Sequence, residues 1–247
     1  SRKCFSYIFL KIGPLFKSNK IVDQNLSIYS KNISRQEREV IKANMWKNYG
    51  MTFIEYIFLN KFKKKNDHIK INGFHILKDI IKNKKPVIFV SGHFANFELM
   101  SMELTKNNIE LATIYRPLNN FFLNPLMEYL RKKYVCKNQI KKGISGVKES
   151  IQYINTGKSI ALMIDQRVSE GEKIKFFNKL AHTTTLPAQI ALKYNLEIVP
   201  IFIERSQDNF FNMKIFNPIN ISKFNNKNEI TSYLNKSLEE MIKKNPN

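Results

Sequence analysis

The sequence predicts an α/β fold: a single domain whose largely parallel, mixed sheet is flanked by helices, with a helical extension at its N-terminus. Three observations lead there. From residue 70 onward, short apolar runs alternate with amphipathic segments, the pattern of a covered parallel sheet. Upstream, residues 34–63 carry apolar side chains at helical spacing. Three of the apolar runs end in unusual polar residues, His93, Arg116 and Asp165. Such residues suit the carboxyl ends of parallel strands, where open α/β sheets bind their ligands.

Taken in order, residues 5–16 (FSYIFLKIGPLF) are apolar but interrupted by Lys11, Gly13 and Pro14. That is too short to span a bilayer and suits an interfacial or buried segment. Ser34 and Glu37 form a capping-box signature. Val40, Ile41, Met45, Trp46, Tyr49, Phe53 and Ile57 then continue the helix or helix pair. Glu55 falls inside this stripe and reads best as a carboxylate on the helix flank. Lys61–Lys65 (KFKKK) closes the segment, either as a solvated helix end favoured by the dipole or as a phosphate-facing patch. A helix at 74–83, a strand at 86–91 and a helix at 95–106 follow. Next come a strand at 111–115, a helix near 120–133, a helix at 146–156 and a strand at 159–164. Thr183–Thr185 with Pro187 opens a helix to Tyr194; strand 197–204 pairs antiparallel with 211–217; a helix at 227–244 closes the chain. The expected organisation is a membrane-proximal helical region, residues 1–66, joined to an α/β core, residues 67–247, as one structural unit.

The chemistry concentrates in Pro86–Met100 (PVIFVSGHFANFELM), where an apolar run stops at Ser91-Gly92 and delivers His93, with Glu98 five residues on. On one continuous helix, residues five apart are rotated by roughly 140° and share no face. The two can meet only if His93 sits on the turn before the helix and Glu98 about one turn inside it. Gly92 is permissive for that turn. A carboxylate beside an imidazole fixes its tautomer and stabilises the protonated ring, which makes a general base. A helix-capping histidine with a solvated glutamate is the alternative. Ser91 lies outside a G-x-S-x-G elbow and is set aside as a nucleophile. His68, His75 and His182 are not expected to be catalytic.

Bulk composition narrows the partners. The 247 residues include 41 Lys and Arg against 20 Asp and Glu, a formal net charge of +21. Such a balance calls for an anionic partner. Cys4 and Cys136 stand far apart, with no C-x-x-C and no histidine cluster, which argues against a disulfide scaffold or a zinc site. Walker A and G-x-G-x-x-G patterns are missing, so no nucleotide cofactor is expected. Most aromatics lie in apolar runs rather than among basic residues, so nucleic acid is not the expected partner.

Gly92-His93-Phe94-Ala95-Asn96-Phe97-Glu98 resembles the G-H-x-G-N-W-E form of the H-x-x-x-x-[DE] motif. That form marks the late lipid A acyltransferases within the glycerolipid acyltransferase superfamily. Ala95 replaces the usual glycine and Phe97 the usual tryptophan. Tyr115-Arg116-Pro117-Leu118-Asn119 resembles the family's Y-R-P-x-x-N element, and a guanidinium at that point suits a phosphate. Met163-Ile164-Asp165-Gln166 resembles its A-D-Q element. Asp165 there could position a substrate hydroxyl, pair with Arg116, or cap the following turn. Phe176-Phe177-Asn178 and Thr183-Thr184 resemble the F-F-G and T-T-G-x-A segments, with Asn178 at a glycine position it can tolerate. The run Glu197–Arg205 resembles the V-V-P strand. The likeness extends over roughly residues 10–245. The family's terminal Pro-x-x-W-x-W-x-x-R-like segment is missing, and the chain is expected to be truncated at both ends.

The resemblance implies a glycerol-3-phosphate acyltransferase-like fold and transfer of a fatty acyl chain from an acyl carrier protein thioester to a hydroxyl of a Kdo-bearing lipid A precursor. It implies the cytoplasmic face of the bacterial inner membrane, an anionic surface, as the place. His93 would act as base and Glu98 would orient it. Arg116, Asn119, Asp165 and Gln166 would bind substrate. Gly92 and Asn96 would position the substrate or donate to the oxyanion; Arg116 and the backbone at the start of the helix are further oxyanion donors. No metal or other cofactor is required. Phe94, Phe97, Leu99, Met100 and Met102 would line an acyl groove or belong to the core. Two rivals stand beside this reading: acyl-CoA-dependent acylation of another glycolipid, such as a phosphoinositide mannoside, and a non-catalytic basic module that binds membrane or nucleic acid.

Overall fold

The computed structural model describes residues 2–16, 18–206 and 210–246. Helices α1 (Arg2–Phe16), α2 (Asn19–Tyr29), α3 (Arg35–Glu55) and α4 (Leu59–Lys64) come first. The Ser34 hydroxyl accepts from the Glu37 backbone and the Glu37 carboxylate from Ser34, the capping box read from the sequence. α1 packs closely on α3 because glycines permit it: a Cβ at Gly50 would stand 2.4 Å from the Phe5 carbonyl oxygen, and one at Gly13 would strike the Trp46 ring. Among the described residues no helix is long and apolar enough to cross a membrane.

The remainder is an α/β unit. β1 (Ile69–Asn72), α5 (Phe74–Asn83), β2 (Ile88–Ser91), α6 (Glu98–Lys106) and β3 (Leu111–Tyr115) lead to α7 (Leu123–Leu130) and a π-helical turn, Arg131–Val135. β4 (Asn138–Lys141), α8 (Ile144–Asn155) and β5 (Ser159–Met163) come next, then β6 (Glu172–Phe176) and β7 (Lys179–Thr183). α9 (Leu186–Tyr194), β8 (Ile198–Arg205), β9 (Phe211–Ile215) and α10 (Lys227–Lys244) complete the chain. The seven-stranded sheet has the order β1-β9-β8-β2-β5-β3-β4. β8, β2, β5, β3 and β4 run parallel, and β9 reverses direction against β8. Alternate residues of β2 serve the two faces. Phe89 joins Leu99, Met100 and Val199 on one side. Ile88 and Val90 join Ile160, Ile198 and Leu234 on the other. The sheet is therefore covered on both faces, as the apolar runs predict.

Three departures from the sequence reading have physical causes. The short strands β1 and β4, at the two sheet edges, and the separate β6–β7 hairpin are not anticipated: all are lysine-bearing and short, so they lack the apolar signature of central strands. The hairpin turns through Phe177 and Asn178, both left-handed (φ 45° and 60°), the geometry of a two-residue primed turn. The helix expected from residue 95 begins only at Glu98. Ala95 sits at φ 44° and interrupts it, so the left-handed turn belongs to Ala95 and not to Gly92.

Candidate active site

β2 and β5 are parallel neighbours in register, with Ser91 opposite Met163, and the ladder continues as the Ile164 N–H donates to the Ser91 carbonyl. His93 and Asp165 each lie two residues past those strand ends, so the sheet itself sets them side by side. The Asp165 carboxylate accepts twice from His93: from the backbone N–H at 2.8 Å and from ring Nδ1 at 2.7 Å. A carboxylate on Nδ1 holds the proton there and leaves the Nε2 lone pair available. The Gln166 amide stands 3.5 Å from that Nε2. The ring meets Phe97 edge-on and keeps 32% of its side-chain surface open, with 25% for Asp165. Next to it, Tyr49 of α3 has its phenol pushed above the ordinary value by desolvation and then by the Asp165 charge.

Glu98 has other partners. It is buried, and its Oε1 accepts from Arg131 Nε at 2.7 Å and, through a short hydrogen bond, from the Tyr56 hydroxyl. Arg131 Nη2 also donates to Tyr56 at 3.1 Å. Burial works against the Arg131 charge, but Glu98 and Tyr56 overcome it and hold its pKa above the ordinary value. The expectation that Glu98 orients His93 is thus corrected: the carboxylate on the imidazole is Asp165. Glu98 is the first residue of α6, a position favoured by the helix dipole, and the left-handed step at Ala95 stands between it and the histidine.

A second buried network lies beside it. Glu55 has no exposed side-chain surface and accepts a fork from Arg205 (2.6 and 3.1 Å), a bond from Asn96 Nδ2 (3.0 Å) and an ion pair from Arg2 (2.9 Å). It is not on an open helix flank: the exit of β8 presents Arg205 to it, and buried charge persists only when paired. Asn96 is fully buried in this cluster, which places it in support of the loop and not at an open oxyanion position. Thr52 Oγ1 adds a bond to the Ala95 carbonyl at 3.0 Å. The end of α3 and the turn after it therefore grip the 93–98 loop at Ala95, Asn96 and Glu98.

Ser91 is buried and donates to the Ile201 carbonyl at 2.7 Å, a structural role. Gly92 is buried behind the histidine, with the Phe94 ring where its Cβ would be. Leu99, Met100 and Met102 are fully buried in the core and line no groove, whereas Phe94 and Phe97 are half-buried at the loop. Arg116 does not pair with Asp165. It is exposed and lines a cleft of about 700 Å³ together with Asn119, Phe121, Lys142, Arg167 and Glu170. Lys142 reaches the cleft because its N–H continues the β3–β4 ladder to the Tyr115 carbonyl. Sequence reasoning missed Tyr56, Arg131, Lys142, Arg167 and Arg205. Only Arg205, at the end of a recognised strand, carried a usable signal.

Fold and site together define an α/β enzyme with a histidine–carboxylate pair at its strand exits and a cationic cleft near them. The model of the family described as bacterial lipid A biosynthesis acyltransferase matches residues 1–247. A lipid A biosynthesis acyltransferase of Haemophilus influenzae is 23% identical over 254 residues, covering 97% of this chain and 78% of that protein. The chain belongs to the bacterial lipid A biosynthesis acyltransferase family and is an acyltransferase of lipid A biosynthesis.

Proposed function

We infer that this acyltransferase moves a fatty acyl chain from an acyl carrier protein thioester to a hydroxyl of a Kdo-bearing lipid A precursor, with His93 as general base and Asp165 as the group that orients it. The observation that carries this reading is the open Nε2 of a ring whose Nδ1 is bound to Asp165 at 2.7 Å. Nε2 takes the proton of the acceptor hydroxyl as its oxygen attacks the thioester carbonyl carbon. The Gln166 amide, 3.5 Å from Nε2, is near enough to donate to the carbonyl oxygen as it becomes an oxyanion. When the tetrahedral adduct collapses, the carbon–sulfur bond breaks and the thiolate leaves with the proton held by the imidazolium. Glu98 supports the loop through Arg131 and Tyr56.

The cationic cleft of Arg116, Lys142 and Arg167 suits the phosphates of the acceptor, with Asn119 at its rim. The net charge of +21 suits an acidic carrier protein as donor and an anionic leaflet, the cytoplasmic face of the inner membrane, as the place of action. The test is mass spectrometry of products after incubation with a Kdo-bearing precursor and either acyl carrier protein thioester or acyl-CoA. One added acyl group from the carrier protein alone supports the reading. Transfer from acyl-CoA alone replaces the donor, and no transfer from either removes the reaction.

A further inference from the structure

The segment between β3 and β4 has an unusual surface. Phe121 and Phe122 are 91% and 93% exposed, above every other large apolar side chain among the described residues. They form the tip that leads into α7, and none of the residues of α7 is fully buried. Met127 and Leu130 pack inward against the core, while Leu126 and Tyr129 face outward, one and two turns on from Phe122. Ile144, two residues past Lys142, is also almost fully exposed. Cations stand beside this apolar tip: the exposed Arg116, Lys142 and Arg167 line one cleft with Phe121, against a single carboxylate there, Glu170. Glu128 of α7 is already engaged by the Tyr115 hydroxyl at 2.7 Å.

We propose that this tip is a membrane-docking element: Phe121 and Phe122 enter the interfacial layer of an anionic bilayer, the neighbouring Arg116, Lys142 and Arg167 meet lipid phosphates, and the Arg116 cleft opens onto the lipid surface. The observations favour a bilayer over a protein partner. Two adjacent rings project from a loop tip almost wholly into solvent, and three exposed cations line the cleft that Phe121 borders; apolar side chains beside cations are the arrangement of an interfacial anchor. The consequence for catalysis, delivery of the acceptor from the bilayer into the cleft, rests on the acyl-transfer reading above, whereas the docking does not.

The chain itself supplies a clean probe. Its single tryptophan, Trp46, is buried against Gly13 and gives a constant background. In the full chain carrying Phe122→Trp, the introduced indole is expected to shift to the blue on vesicles of phosphatidylcholine mixed with phosphatidylglycerol. It is expected to be quenched there by brominated acyl chains, and to respond far less to phosphatidylcholine alone. Phe122→Ser is expected to lower the affinity for the mixed vesicles by roughly tenfold. An indole that stays in water while the protein sediments with vesicles overturns the proposal and moves docking to another face, such as the exposed apolar side of α1 and α3. A blue shift that grows with protein concentration without lipid assigns the tip to a second copy. A shift produced by acidic carrier protein alone assigns it to that partner. Either result overturns bilayer docking. Insertion without acyl transfer from any thioester leaves the docking surface standing and removes the reaction, and transfer without insertion does the reverse.

Discussion

His93 and Glu98 stand five residues apart in one motif, yet they live in opposite environments. The His93–Asp165 pair opens to solvent at the ends of two parallel strands. Glu98 is shut into the interior with Arg131 and Tyr56, and Glu55 is shut in beside it with Arg205 and Asn96. The open pair has a ring nitrogen to offer a substrate. The closed clusters have none, and breaking one strands a charge. On the proposed function, one half of the motif transfers a proton while the other holds the loop still. Sequence spacing alone suggests that the two residues cooperate directly.

The largest effect separating the two regions belongs to His93→Ala, which is expected to lower turnover by about 10²–10⁴-fold while leaving the melting temperature unchanged. Steady-state rates beside a thermal melt check it, and near-normal turnover removes the base. Glu98→Gln is expected to act the other way, costing about 3–5 kcal/mol of stability because Arg131 loses its buried counter-charge. Adding Arg131→Met should recover part of that loss in urea unfolding. If Glu98→Gln instead abolishes turnover at unchanged stability, the partition between the regions fails. Asp165→Asn is expected to lower kcat on the order of 10²-fold with little change in KM or in melting temperature, since it disturbs the tautomer and not the packing. The smallest effect lies between the regions. Ala95 is left-handed at φ 44°, so Ala95→Gly is expected to stabilise by about 1 kcal/mol, a rise of roughly 2–4 °C.

Much of the fold was legible because central strands and packed helices repeat their apolar residues at fixed periods. Ile88–Ser91, Leu111–Tyr115, Ser159–Met163 and Ile198–Arg205 all fall on runs read from the sequence. The two edge strands and the hairpin were not legible, because strands that need bury little are free to be polar. The site was legible as a set of strand exits: His93, Arg116 and Asp165 all emerge at one end of the sheet. Which exits pair was not. Strand order puts both His93 and Arg116 beside Asp165, because β5 lies between β2 and β3; the local turns then choose, His93 offering Asp165 its backbone N–H and Nδ1 while Arg116 lines the cleft with Lys142. Arg131 was hidden in a basic run: it shares its π-helical turn with Lys132 and Lys133, and only its burial distinguishes it from them.

By itself, then, the sequence determined the alternation of strands and helices, the excess of positive charge and the presence of a histidine at a strand exit, since periodicity and residue chemistry are local. The tertiary structure alone decided which carboxylate serves that histidine, and it turned Glu98 and Glu55 into buried anchors. Neighbourhood across a sheet is fixed by long-range strand order and register, and no spacing along the chain encodes it.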